Sequence, residues 1–131
     1  MSEKEQTKKV TLQDFIAKAK QKEADKFKIK GIYLERLEGE VMIQKIKLNK
    51  VLDAIDRIDK DDSMVNLIDV YKELVYDSVP ILKSEELKGE FELSEPFDIV
   101  TEIFELGEIL YLGNEILTLY GLTDLDKTVK N

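Results

Sequence analysis

The chain of 131 residues contains no cysteine and no histidine. Without cysteine there is no disulfide framework, no thiolate nucleophile and no thiolate-held zinc or iron–sulfur centre. Without histidine the commonest general base and the commonest transition-metal ligand are missing, and with them any Ser-His or Cys-His couple. Only carboxylate and lysine chemistry is left. Long apolar runs are missing too. The most hydrophobic stretch, Pro96 to Leu122, carries Glu102, Glu105, Glu108 and Glu115, so it offers no uncharged window of about 18 residues to cross a membrane. The first residues, MSEKEQTKKV, hold no apolar segment that could act as a secretory signal, and export is not expected. Gly107 and Gly113 match neither a phosphate-binding loop nor a dinucleotide fingerprint.

What is present is charge, and it is unevenly placed. Charged residues make up 37% of the chain against 43% apolar, where about a quarter charged is usual. Residues 1–30 hold nine lysines against five acids, while the remaining 101 residues hold eleven Lys plus Arg against 23 acids. A basic arm therefore precedes an acidic body. The formal charge of −8 disfavours nucleic acid or an anionic membrane as the main partner, since both would be repelled.

Hydrophobic periodicity divides the chain into a disordered leader (1–10), a Lys-rich helical arm (11–26), a single globular domain (27–122) and a flexible tail (123–131). In the arm, Thr11 and Asp14 have the spacing of a capping box, and Leu12, Phe15, Ile16 and Ala19 form a short apolar stripe. From Phe27 to Ile46, β-branched and aromatic residues alternate with charges around Glu38-Gly39, the pattern of a hairpin. A glutamate at the first central position of a two-residue turn would need a positive φ, so a longer loop is the alternative. Leu48, Val51, Leu52, Ile55 and Ile58 then predict a helix over about 49–60. Met64, Leu67, Ile68, Tyr71, Leu74 and Val75 predict a second that ends before Pro80, with Asp61-Asp62-Ser63 as the turn and cap between them. One helical turn is expected over Ser84 to Leu87. The fold class expected is α+β, mainly α, with an N-terminal β-hairpin packed on a small bundle of four to five helices.

Ser94-Glu95-Pro96 has the chemistry of a helix start, a capping hydroxyl followed by an acid and a proline whose missing N–H costs nothing there. Ile99, Ile103, Leu106, Leu110, Gly113, Leu117 and Tyr120 follow in alternating four- and three-residue steps, and Ile109, Leu112, Ile116 and Leu119 add a second row. Gly113 on the first row would permit close approach of another backbone. Gly107 is expected to kink or break the helix, and Gly121 to cap it. The apolar arc is wider than one neighbouring helix covers. With Leu110, Gly113 and Leu117 packed inward, Ile109, Leu112, Ile116 and Leu119 are the candidate partner-binding residues. The plain alternative is that the whole stretch is core.

Asp56 to Asp62, DRIDKDD, has a calcium-loop look, but counted from Asp59 the sixth and twelfth positions are Met64 and Val70 where glycine and glutamate are required. A solvated acidic turn is the better reading. Glutamate pairs such as Glu102 with Glu105 fall on the polar side of an amphipathic helix rather than in a sugar-sized cleft. No nucleophile, base and orienting group can be assembled, so no catalytic, cofactor-binding or metal-binding residues are assigned.

Three segments resemble the XkdN-like phage tail assembly chaperones. They are IYLERLEGEVMIQKI leading into a helix, ELVYDSVPILKSEEL with Pro80 after a helix, and EPFDIVTEIFELGEILYLGNEILTLYGL. In the last, Pro96, Asp98-Ile99-Val100, Gly107-Glu108-Ile109, Ile116, Leu119 and Gly121 are similar to the family's C-terminal helical signature. The resemblance runs from about Ile29 to Leu122 and leaves the Lys-rich arm outside it. It implies a non-enzymatic chaperone without cofactors. Such a protein binds the tape measure protein in the cytoplasm of the bacterial host while a phage or prophage tail assembles, and is absent from the finished virion. Alternatives are a structural tail or connector subunit that self-associates and stays in the particle, and an acidic inhibitor that binds a basic host protein.

Overall fold

The computed structural model describes residues 8–25 and 29–122. The leader up to residue 7, the junction 26–28 and the tail 123–131 lie outside the described residues. The arm forms α1 (Leu12–Asp25). Its start is the expected capping box: the Asp14 amide donates to Thr11 Oγ1 at 3.2 Å, and the Thr11 amide donates back to Asp14 Oδ2 at 3.0 Å.

The hairpin follows as β1 (Ile29–Leu34) and β2 (Gly39–Gln44), paired antiparallel with Leu34 opposite Gly39. The longer loop is the one realised: Glu35–Leu37 makes a 3-10 turn and Glu38 alone takes the left-handed conformation, with φ 53°. Alternation then sorts the side chains. Ile32, Leu34 and Ile43 are buried on the inner face, while Ile29, Tyr33 and Met42 stand exposed on the outer one.

The body is completed by α2 (Leu48–Lys60), α3 (Met64–Ser78), α4 (Glu85–Glu90), α5 (Asp98–Ile103) and α6 (Leu106–Thr118), with a 3-10 turn over Pro80–Lys83. The result is the expected mainly helical α+β fold with a hairpin on the N-terminal side. The acids of the α2–α3 turn are used locally. The Asp61 carboxylate accepts from the Ser63 amide, and the Ser63 hydroxyl caps α3 by accepting from the Asn66 amide. Asn66 in turn donates from Nδ2 to the carbonyls of Arg57 and Asp61, both at 2.8 Å, closing the frayed end of α2. A bidentate Arg57–Glu73 pair, 2.8 Å at each bond, holds the two helices side by side.

Three expectations are corrected. First, α2 buries only Val51 and Ala54, and Leu48 and Leu52 are exposed, because its main neighbour α3 covers a narrow strip of it. Second, the segment after Pro80 holds a 3-10 turn and a six-residue helix rather than one turn, with the Ser84 hydroxyl accepting from the Leu87 amide. Third, the apolar stretch is broken, one of the two outcomes expected at Gly107, but its start and its break lie elsewhere. α5 starts at Asp98 rather than at Ser94 to Pro96, with the Asp98 carboxylate reaching back to the Glu95 amide. The break falls at Phe104-Glu105, both extended, and Gly107 lies inside the first turn of α6.

What fixes that break is a cluster of polar contacts. Glu105 and Glu108 form a capping box on α6, and Arg36 from the hairpin loop donates from Nε and Nη2 to the Glu108 carboxylate. Nη2 also donates to the Ile103 carbonyl, at 2.6 Å, satisfying the end of α5. The Arg36 bonds hold the Glu108 carboxyl below its ordinary value of 4.5.

At its other end α6 closes with Gly121 at φ +81°; the Gly121 amide donates to the Thr118 carbonyl and the Leu122 amide to that of Leu117. Along its middle, α6 packs on α3, where Gly113 meets the ring of Tyr71 rather than a backbone. A Cβ added at Gly113 would lie 2.7 Å from Tyr71 Cγ, and the ring cannot withdraw while its hydroxyl donates to Asn114 Oδ1 at 2.8 Å.

Two outcomes are expected. Gly113→Ala destabilises the protein by about 1–3 kcal/mol in denaturant unfolding, whereas Gly107→Ala, with open space around it, is neutral or stabilising by up to about 1 kcal/mol. The depressed Glu108 value means that its stabilisation is full above the unfolded-state value and is lost as pH falls through the folded one. Glu108→Gln is therefore less stable than the parent at neutral pH, and urea titrations should show the difference shrinking below about pH 4.5.

Candidate partner-binding surface

The four residues assigned to partner binding do not form an exposed row. Ile109, Leu112 and Ile116 are no more than 1% accessible and sit in the core, and Leu119 is half-buried beside them. The cause is the break at Phe104-Glu105. A single helix carries one phase from Ile99 to Tyr120, but two extended residues let α6 turn about its axis independently of α5. Leu106, assigned to the inward row, is 54% exposed as a result, and Tyr111 is also exposed. Gly113 and Leu117 are buried as expected, and Leu110 is half-buried.

Exposed apolar surface lies elsewhere. On α1 no residue is buried, and Leu12, Phe15 and Ile16 are exposed in succession along one face. Continuing by three- and four-residue steps, that face reaches Ala19, Lys22 and Glu23, which line an open cleft of about 1100 Å³ between α1 and the body. The opposite wall is the β2–α2 corner and the end of α6, with Ile46, Leu48, Leu119 and Tyr120 supplying apolar surface. Tyr120 fixes this wall. Its hydroxyl accepts from the Ile46 amide and donates to the Ile46 carbonyl at 2.9 Å, and burial pushes its pKa up.

The rim of the cleft is basic although the body is acidic. Lys22, Lys45, Lys47, Lys50 and Lys83 face it, against Glu23 and Asp77. Asp77 is shared between Lys50 at 3.3 Å and Lys83 at 3.4 Å. Lys45 lies 5.6 Å from the centroid of the Tyr120 ring. Among the described residues no carboxylate pairs with Lys22, Lys45 or Lys47. The sequence did hold a signal for this cluster: KIKLNK, 45–50, is a dense basic run inside an acidic domain, with Ile46 and Leu48 between the lysines. The arrival of Lys83 and Tyr120 at the same place had no such signal.

Among the described residues no three carboxylates converge as a metal site, and no helix is long and apolar enough to cross a membrane. The class that fold and surface define is a mainly helical α+β domain with an amphipathic arm none of whose residues is buried. No family model, curated protein or solved structure matches the chain.

Leu112→Ala is expected to cost about 2–5 kcal/mol of folding stability, and Leu119→Ala clearly less, in chemical denaturation. The reverse order would return Leu112 to the exposed surface.

Proposed function

We propose that this protein is a non-enzymatic tail assembly chaperone of a phage or prophage, which binds the tape measure protein in the cytoplasm of the bacterial host during tail assembly and is absent from the finished virion. The observation that carries the reading is α1, an amphipathic helix whose apolar residues Leu12, Phe15 and Ile16 have nothing to cover them among the described residues. Apolar side chains held in that way on a charged, water-compatible protein are what a holder of a helix-rich, aggregation-prone client needs: they cover the client's stripe while the acidic body keeps the complex dispersed. The resemblance of the three segments from Ile29 to Leu122 to the XkdN-like family supplies the identity of the client.

The exposed outer face of the hairpin, Ile29, Tyr33 and Met42, favours a second reading, a tail or connector subunit that self-associates and remains in the particle. Co-expression separates the two. A chaperone raises the soluble yield of the tape measure protein encoded beside it, co-purifies with it, and is missing from purified particles by mass spectrometry. Persistence in the particle, with no effect on solubility, identifies the structural subunit instead.

A further inference from the structure

We infer that the cleft between α1 and the body is the seat of an acidic, amphipathic helical segment of a protein partner. The inference rests on the reading of the chain as a protein-binding chaperone and adds where the partner lies and what chemistry it carries. Each wall carries apolar surface between its charges. α1 presents Ala19 in line with Leu12, Phe15 and Ile16, and the body presents Leu48 and Tyr120. The space between them, about 1100 Å³ and open at the surface, is of the size that a few turns of helix with their side chains would fill.

Charge selects the occupant. If α1 folded down onto the body, Lys22 and Glu23 would approach together, bringing no net negative charge to offset the mutual repulsion of Lys45, Lys47 and Lys50 as water was removed. A segment with carboxylates flanking an apolar stripe removes that repulsion, filling the apolar space and pairing Lys22, Lys45 and Lys47, which have no carboxylate partner among the described residues. The same rim discriminates. The chain carries −8 overall, so a partner attracted to the molecule at large would be basic, whereas one seated here must be acidic. Nucleic acid meets the repulsion of the body and finds a single tyrosine ring, its hydroxyl held by Ile46, rather than a row of stacking rings.

The test uses the full chain and a fluorescently labelled helical peptide of about 18 residues, long enough to be helical in the cleft, with leucines at three- and four-residue spacing and glutamates elsewhere. Two controls are its lysine counterpart and a scramble of the same composition. Anisotropy titration should show the acidic amphipathic peptide binding at least about tenfold more tightly than either control, a difference of about 1.4 kcal/mol. Lys45→Glu with Lys47→Glu should weaken it by about tenfold or more, as should Leu48→Ser, and circular dichroism should show both variants folded. These three lysine and leucine positions are exposed or half-exposed, so their substitution leaves the core intact.

Equal binding of the scrambled peptide, or no response to the lysine reversals in a folded variant, overturns the inference. So does a dimer in sedimentation that the same reversals abolish, since a second copy would then occupy the cleft, or preferential binding of a single-stranded oligonucleotide. Failure of the peptide alongside successful solubilisation of the tape measure protein removes the cleft but leaves the proposed function standing. Peptide binding without solubilisation supports the cleft and removes the identity of the client.

Discussion

The Arg36 guanidinium lies where three parts of the chain meet: the hairpin loop that carries it, the last carbonyls of α5, and the capping box of α6. Two helices ending and starting within two residues leave carbonyls and amides without partners, and at a partly buried junction those groups must find bonds inside the protein. Glu108 takes the Glu105 amide from three positions away, and Arg36, 72 positions before Glu108, supplies the donor to the Ile103 carbonyl. With the break fixed, α5 and α6 are free to take different orientations, and each presents its own apolar face to the core.

That separation determines what can function as a surface. Because α6 turns Ile109, Leu112 and Ile116 inward against α3, most of the apolar side chains in the most hydrophobic stretch are used in folding. Much of the apolar surface left for other purposes lies on the arm α1, the outer face of the two-stranded hairpin and the Leu48–Leu52 side of α2. The small size of the hairpin and the length of α2 beyond its contact with α3 matter as much here as the composition of the residues.

The basic cleft has the same origin. Lys45, Lys47 and Lys50 belong to the corner where β2 passes into α2, and the Tyr120 hydroxyl, bonded to both backbone groups of Ile46, brings the end of α6 to that corner. A local run of positive charge thereby becomes one wall of a concave site, facing α1, which presents Lys22 and Glu23 to it. Local concentration of one sign against the net charge of the molecule is a means of choosing partners that net charge alone would not select.

Local chemistry determined a great deal by itself. The capping boxes and serine caps at Thr11, Ser63 and Ser84, the hairpin, the α2–α3 pair and the Gly121 termination each depend on residues within a few positions of one another, and short-range sterics and hydrogen bonds decide them. The face that α6 turns to the core was decided otherwise. A helical periodicity states which residues share a side, but not which side meets a neighbour, and the phase is lost at Phe104-Glu105 through a bond from Arg36 that no nearby residue announces. The same holds for the cleft: three of its lysines could be read in sequence, but only the tertiary structure places Lys83, Tyr120 and α1 around them, because long-range packing sets the distances between elements.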